Sequence, residues 1–189
     1  MIKEIEIPQR NRIHPYKFNL WIALGSIVMM FAGFTSAYIV MHGRNTWESF
    51  PLPGIFWFST GVILLSSLTM QQALRNFKER NMKRYRQLIT LTAFLGLVFL
   101  CSQAVGFHEL YGRGIKLDWN VSAGLLFIIT GLHMLHVLGG VITLLIIFFM
   151  AYRRKVRSYD ALPVELAATY WHFVDILWIY LFIFFIWIR

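Results

Sequence analysis

Apolar runs divide the chain into five stretches, at about residues 18–42, 55–74, 88–110, 123–150 and 164–188, separated by short polar connections. Each run reaches the ~20 residues that a helix rising ~1.5 Å per residue needs to cross a ~30 Å hydrocarbon core. None alternates with the period of two expected of a barrel strand. Lipid admits only helices or closed barrels, because every backbone polar group must be satisfied within the protein. The pattern predicts an all-α fold: a polytopic transmembrane bundle of five spans at 18–189, preceded by a polar arm at 1–17. Pro8 and Pro15 discourage a continuous helix in that arm. The first run is too long for a signal-peptide core and lacks a small-residue cleavage site, so it is read as retained. Short connections make successive helices antiparallel neighbours, and small residues such as Gly33 and Ala37 are expected to let them approach closely.

Composition supports this class and removes another. Apolar residues make up 58% of 189 positions, and the net charge is +9. A soluble protein this basic would suggest nucleic acid, but here the basic residues follow topology. The arm and the second and fourth connections carry fourteen Lys and Arg, and the opposite side carries four. The arm is therefore expected to be cytoplasmic and the C-terminus periplasmic, which absorbs the charge and leaves no nucleic acid partner. Trp21, Trp47, Trp57, Trp119 and Trp187 fall near the expected interfaces, as an aromatic belt would. The single Cys101 excludes an intrachain disulfide and argues against a thiolate metal cluster.

A few ionisable side chains lie where hydrocarbon should be. The last run contains Tyr170-Trp171-His172-Phe173-Val174-Asp175-Ile176-Leu177-Trp178, and the fourth contains His133 and His136. An acid at the centre of a span costs about 2.5–3.5 kcal/mol on insertion scales, so it is tolerated chiefly where it faces protein or water. Counted from the cytoplasmic ends at ~1.5 Å per residue, Asp175 lies ~17 Å deep, His136 ~21 Å, Gln103 ~23 Å and His133 ~25 Å. The expectation is one buried polar layer of Gln103, His133, His136, Trp171 and Asp175 joining spans three, four and five. Within it, Asp175 should accept a hydrogen bond from His136, His133 or Trp171. His172 is ~12 Å deep, where Glu165 on the same face could reach it through water or a lipid headgroup, forming a cytoplasmic-side network.

Several uses of that layer compete. Two histidines could hold a haem, but His136 and His172 differ by ~9 Å in depth. A metal would want three converging ligands, and His133 with His136 supplies two. A proton or ion could use Asp175 with the histidines, although no broken span or inverted repeat of the transporter kind is present. A hydrogen-bonded packing layer that fixes helix register is the commonest role for such groups.

The motif Thr130-Gly131-x-His133-x-x-His136-Val137, followed by Glu165 and Tyr170-Trp171-His172-Phe173-Val174-Asp175-x-x-Trp178, resembles subunit III of the haem-copper respiratory oxidases. Ser26 to Tyr38, reading SIVMMFAGFTSAY, is similar to a further helix of that family, and Gln103 sits where the family has a Gln. The resemblance covers Phe18 to Arg189 and matches the last five spans of the family's seven-span form. It implies a non-catalytic subunit of an oxygen-reducing, proton-pumping complex in the bacterial inner (cytoplasmic) membrane. Such a subunit packs beside oxidase subunits I and II, binds structural phospholipid, and supports proton uptake and turnover stability in aerobic electron transport. Haem and copper are then expected only in partner subunits, with no catalytic, cofactor or metal site in this chain, and a respiratory supercomplex is a larger assembly it could join. Ile27 stands where the family helix has a buried Glu, so that residue's role does not carry over. The alternative is an independent membrane protein that binds haem or conducts protons through the His133, His136 and Asp175 layer.

Overall fold

A computed structural model describes residues 14–43, 52–115, 120–152 and 161–188. Most of the arm, the basic residues of the fourth connection, Trp47 and Trp119 lie outside the described residues. Five helices run in order: α1 (Pro15–His42), α2 (Ile55–Lys78), α3 (Met82–Gly112), α4 (Val121–Tyr152) and α5 (Leu162–Trp187). Among the described residues, α1, α3, α4 and α5 are long and apolar enough to cross a bilayer. α2 is outside that group because of its composition. Ser59, Thr60, Ser66, Ser67, Thr69, Gln71 and Gln72 all fall in its 24 residues.

Local sequence sets the helix ends. Proline opens α1 and α5, where its missing N–H would be unsatisfied anyway. Asn120 caps α4 by accepting the Ala123 N–H at 2.8 Å. α2 closes with Asn81 N–H on the Asn76 carbonyl and Arg80 N–H on Phe77, with Arg80 in the left-handed region at φ 59°. Asn81 then accepts the Arg84 N–H and caps α3. One residue thus ends one helix and starts the next, and α2 and α3 form a tight hairpin.

The contacts between helices fix their register. Gln103 pairs with Ser59, Thr92 with Thr69, and Tyr85 packs on Phe77, so α3 runs antiparallel to α2. Trp178 with Thr60, Trp171 with Ser66 and Glu165 with Lys78 set α5 antiparallel to α2 in the same way. α4 closes the bundle against α3 and α5. α1 lies outside this four-helix ring, on α4 and α5 only, and runs parallel to α5 from Lys17–Glu165 to Tyr38–Phe184.

Close approach is confined to a few glycines, and Gly33 is not one of them. It is exposed with open space around it, because α1 turns that face away from its neighbours. A methyl group added at Gly96 would come within 2.9 Å of Trp171 Cη2, and one at Gly140 within 2.9 Å of Trp171 Cε3. The Trp171 indole therefore lies between the backbones of α3 and α4. Trp21, Trp57 and Trp187 are exposed, on the outside of the bundle.

Candidate functional site

Buried polar side chains form a ladder along α2, not a single layer. Ser59 donates its hydroxyl hydrogen to the Phe56 carbonyl of its own helix at 2.9 Å, which leaves its oxygen to accept Gln103 Nε2 at 2.8 Å. Thr60 repeats the arrangement, donating to Phe56 at 2.7 Å and accepting Trp178 Nε1 at 3.0 Å. One heptad later Ser66 accepts Trp171 Nε1 at 3.0 Å. Thr69 meets Thr92 at 2.9 Å, one hydroxyl donating to the other while the acceptor of the pair donates back to a carbonyl of its own helix. Ser59 and Ser66 are ~10 Å apart along the helix, so the polar contacts fall on separate levels.

Several predicted pairings are not formed, and the corrections share a cause. Trp171 donates to Ser66 and not to Asp175. His136 Nδ1 donates to the Leu132 carbonyl of its own helix at 2.7 Å. His133 is fully buried, with its ring stacked on Trp178 at 5.3 Å and edged by Phe31 and Phe99 at 6.4 and 6.3 Å. Neither of its nitrogens, and neither Asp175 oxygen, has a hydrogen-bond partner among the described residues. The polar faces of α3 and α5 turn toward α2, whereas His133 on α4 turns into a cage of rings.

The Glu165 and His172 expectation is corrected too. Glu165 holds Lys17 of α1 and Lys78 of α2, each at 2.8 Å, and ties three helices together at one end of the bundle. His172 instead bonds α2, through Ser67 Oγ at 2.7 Å and Gln71 Oε1 at 3.2 Å. The acceptors on α2 were missed because single Ser and Thr residues in an apolar run look neutral. Their spacing was the available signal: Ser59, Ser66 and Ala73 recur every seven residues, and all are fully buried.

The motif residues thus act on their own bundle. Trp171 spans α5, α3, α4 and α2; Trp178 joins α5 to α2 and covers His133. Comparison with known proteins assigns the motif to a family: the family described as Cytochrome c oxidase subunit III matches residues 16–189. The chain belongs to the cytochrome c oxidase subunit III family. It is 28% identical over 183 residues to cytochrome c oxidase subunit 3 of Bacillus sp. (strain PS3), covering 93% of this chain and 88% of that protein. It is 31% identical over 172 residues to the subunit 3 of Thermostichus vulcanus, covering 86% and 82%. Against the probable subunit 3 of Rickettsia conorii it is 36% identical over 142 residues, 74% of this chain but 48% of that protein. Family membership makes the chain a multi-pass membrane component of an oxidase complex.

Proposed function

We propose that the chain is a non-catalytic subunit III that packs beside the catalytic subunit of a haem-copper terminal oxidase, binds phospholipid, and supports proton uptake and turnover stability. The observation that carries this reading is the placement of the family motif. Trp171, Trp178 and His133 brace helices against one another, and the rings of Phe31, Phe99 and Trp178 fill the space around His133 that a macrocycle would need. Haem and copper then belong to partner subunits.

The lipid role has support at one end of the bundle. A groove of about 430 Å³ between α1, α4 and α5 is lined by Leu20, Gly139, Thr143, Leu166 and Tyr170. Leu20 is one helical turn from Lys17, whose side chain is 44% exposed beside Glu165. An acyl chain suits the apolar walls, and a phosphate suits the lysine. In this reading α2 is a fifth span whose polar groups are satisfied by α3 and α5 before they meet lipid. In this reading the N-terminus and this groove lie on the cytoplasmic side of a bacterial inner membrane and the C-terminus on the periplasmic side, an orientation that the distribution of Lys and Arg supports.

Purification in mild detergent tests the assignment. The chain is expected to travel with the haem-containing subunits I and II and with phosphorus-containing lipid, and to show no Soret absorbance when separated from them. A pigment retained by the lone chain would contradict it. In the assembled oxidase, Asp175→Ala is expected to shorten turnover lifetime more than it lowers initial electron transfer, and immediate loss of oxygen reduction would count against a supporting role.

A further inference from the structure

Among the described residues, two acids lie at the end of the bundle where the α2/α3 hairpin turns, and both are taken. Glu79 holds Arg75, and Glu165 holds Lys17 and Lys78. Arg86, in the second turn of α3, has no acidic partner among these residues. It is half-buried, its Nε is closed off without a hydrogen-bond partner, and its guanidinium carbon lies over the Tyr152 ring at 5.4 Å from the centroid. A cation is thus held in place at the α3/α4 seam with its charge unmet.

The surroundings of that side chain are built by hydrogen bonds and ring contacts. Thr90, one turn further along α3, donates its hydroxyl hydrogen to the Arg86 carbonyl at 2.7 Å. That hydrogen cannot serve twice, so in the 3.4 Å contact between the Thr90 and Tyr152 hydroxyls Tyr152 is the donor. Phe148, one turn back on α4, packs on the Tyr152 ring at 4.7 Å. The ring is steadied by both neighbours, and its face meets the guanidinium without using any N–H donor. With Nε shut away, the charge has to be met through the outer nitrogens Nη1 and Nη2. Depth indicates the anion. Arg86 stands two residues before the apolar run at 88–110, and Tyr152 two residues beyond the run at 123–150. At ~1.5 Å per residue each lies ~3 Å outside the hydrocarbon, within the interfacial layer of ~5–7 Å that holds lipid headgroups. Inward from this level, Phe94 follows Thr90 by four residues and Phe149 precedes Tyr152 by three, and they are 60% and 64% exposed. Residues at these spacings share a helix face, so the faces that meet at Thr90 and Tyr152 continue toward the hydrocarbon as apolar surface.

We propose that Arg86 and Tyr152 form a phospholipid headgroup site at the α3/α4 seam, in which the guanidinium donates to the lipid phosphate and the Tyr152 ring holds the guanidinium in position. A guanidinium edge forks onto a pair of phosphate oxygens, a geometry that the point charge of a lysine does not offer. The acyl chains lie along Phe94 and Phe149. This site is separate from the groove between α1, α4 and α5. It deepens the lipid-binding reading given above, and the variants below let either site fail without the other.

Native mass spectrometry of the full chain, purified in detergent with whatever subunits accompany it, tests the site in titrations with dioleoylphosphatidylglycerol and, separately, with inorganic phosphate. Arg86→Gln is expected to weaken the binding of one phosphatidylglycerol at least about tenfold, as loss of a charge-assisted hydrogen bond predicts. Tyr152→Leu is expected to weaken the same binding about threefold and Tyr152→Phe to leave it nearly unchanged, because the ring and not the hydroxyl faces the cation. Lys17→Ala is expected to leave this lipid in place. Tyr152 is exposed, so Tyr152→Leu against Tyr152→Phe decides the matter should Arg86→Gln not survive purification. Three results would overturn the proposal. Inorganic phosphate bound as tightly as the lipid would make this a free-anion site. Lipid lost with Lys17→Ala but not with Arg86→Gln would leave only the groove between α1, α4 and α5. A partner subunit shed on Arg86→Gln with the lipid retained would give the charge to a protein acid.

Discussion

α1 and α2 are both helices of this bundle, yet they are held in opposite ways. α2 carries hydroxyls at buried and half-buried positions, and each of Ser59, Thr60 and Ser66 receives an N–H donor from α3 or α5. α1 is apolar along most of its length and, among the described residues, touches only α4 and α5. It leaves Trp21, Ile22, Met29 and Val40 exposed. Its polar ties are few: Lys17 to Glu165 at one end, and Thr35 to Tyr180 at 3.1 Å nearer the other. In lipid, apolar surface gains nothing by leaving lipid for protein, so an apolar helix is held by packing while a polar one must find partners. The difference separates an internal member of the fold from a face available to lipid or to a neighbouring subunit.

The largest effect is expected where the two modes of holding coincide. Trp171 combines close packing with a polar tie, and Trp171→Ala should cost about 3 kcal/mol or more, read as loss of assembled complex or a lower unfolding temperature. Close packing alone comes next. Gly140→Ala and Gly96→Ala each push a methyl group to 2.9 Å from the indole and should cost about 1–3 kcal/mol. Gly33→Ala on α1, with open space around it, should be neutral or slightly stabilising in the same unfolding assay.

A smaller effect isolates the hydrogen bonds. A double-mutant cycle on Ser59→Ala and Gln103→Leu should give a coupling of about 0.6 kcal/mol, and not much above 1.7, the range found for hydrogen bonds between helices in membranes. The polar tie of α1 is also expected to contribute little. Lys17→Ala removes one of two lysines from Glu165 at a partly exposed site, and it should change stability by less than about 1 kcal/mol, diminishing further as salt is raised.

Sequence reasoning reached the helices because their run length and apolarity are one-dimensional properties. The burial of Gln103, His133 and Asp175 was legible as well, since polar groups at such depth must turn inward. The partners were not legible. Depth along a span says nothing about rotation, so His133, His136 and Asp175 looked like one layer although rotation points them into different surroundings. Size alone singles out Gly33, whereas what makes Gly96 and Gly140 matter is a tryptophan one or two helices further along the chain. Glu165 looked like a partner for His172 by spacing, but two lysines from other helices reached it first.

The central claim is that α2 is fixed in the bundle by side-chain donors from α3 and α5. Its most direct measurement compares the thermal unfolding of two variants of the purified complex. One combines Ser59→Ala, Thr60→Val and Ser66→Ala on α2; the other combines Ser26→Ala on α1 with Thr143→Val on α4, whose hydroxyls, among the described residues, bond only their own helices at 2.7 and 2.9 Å. The account predicts a clear fall in unfolding temperature for the first and almost none for the second. Equal shifts in the two variants would contradict it.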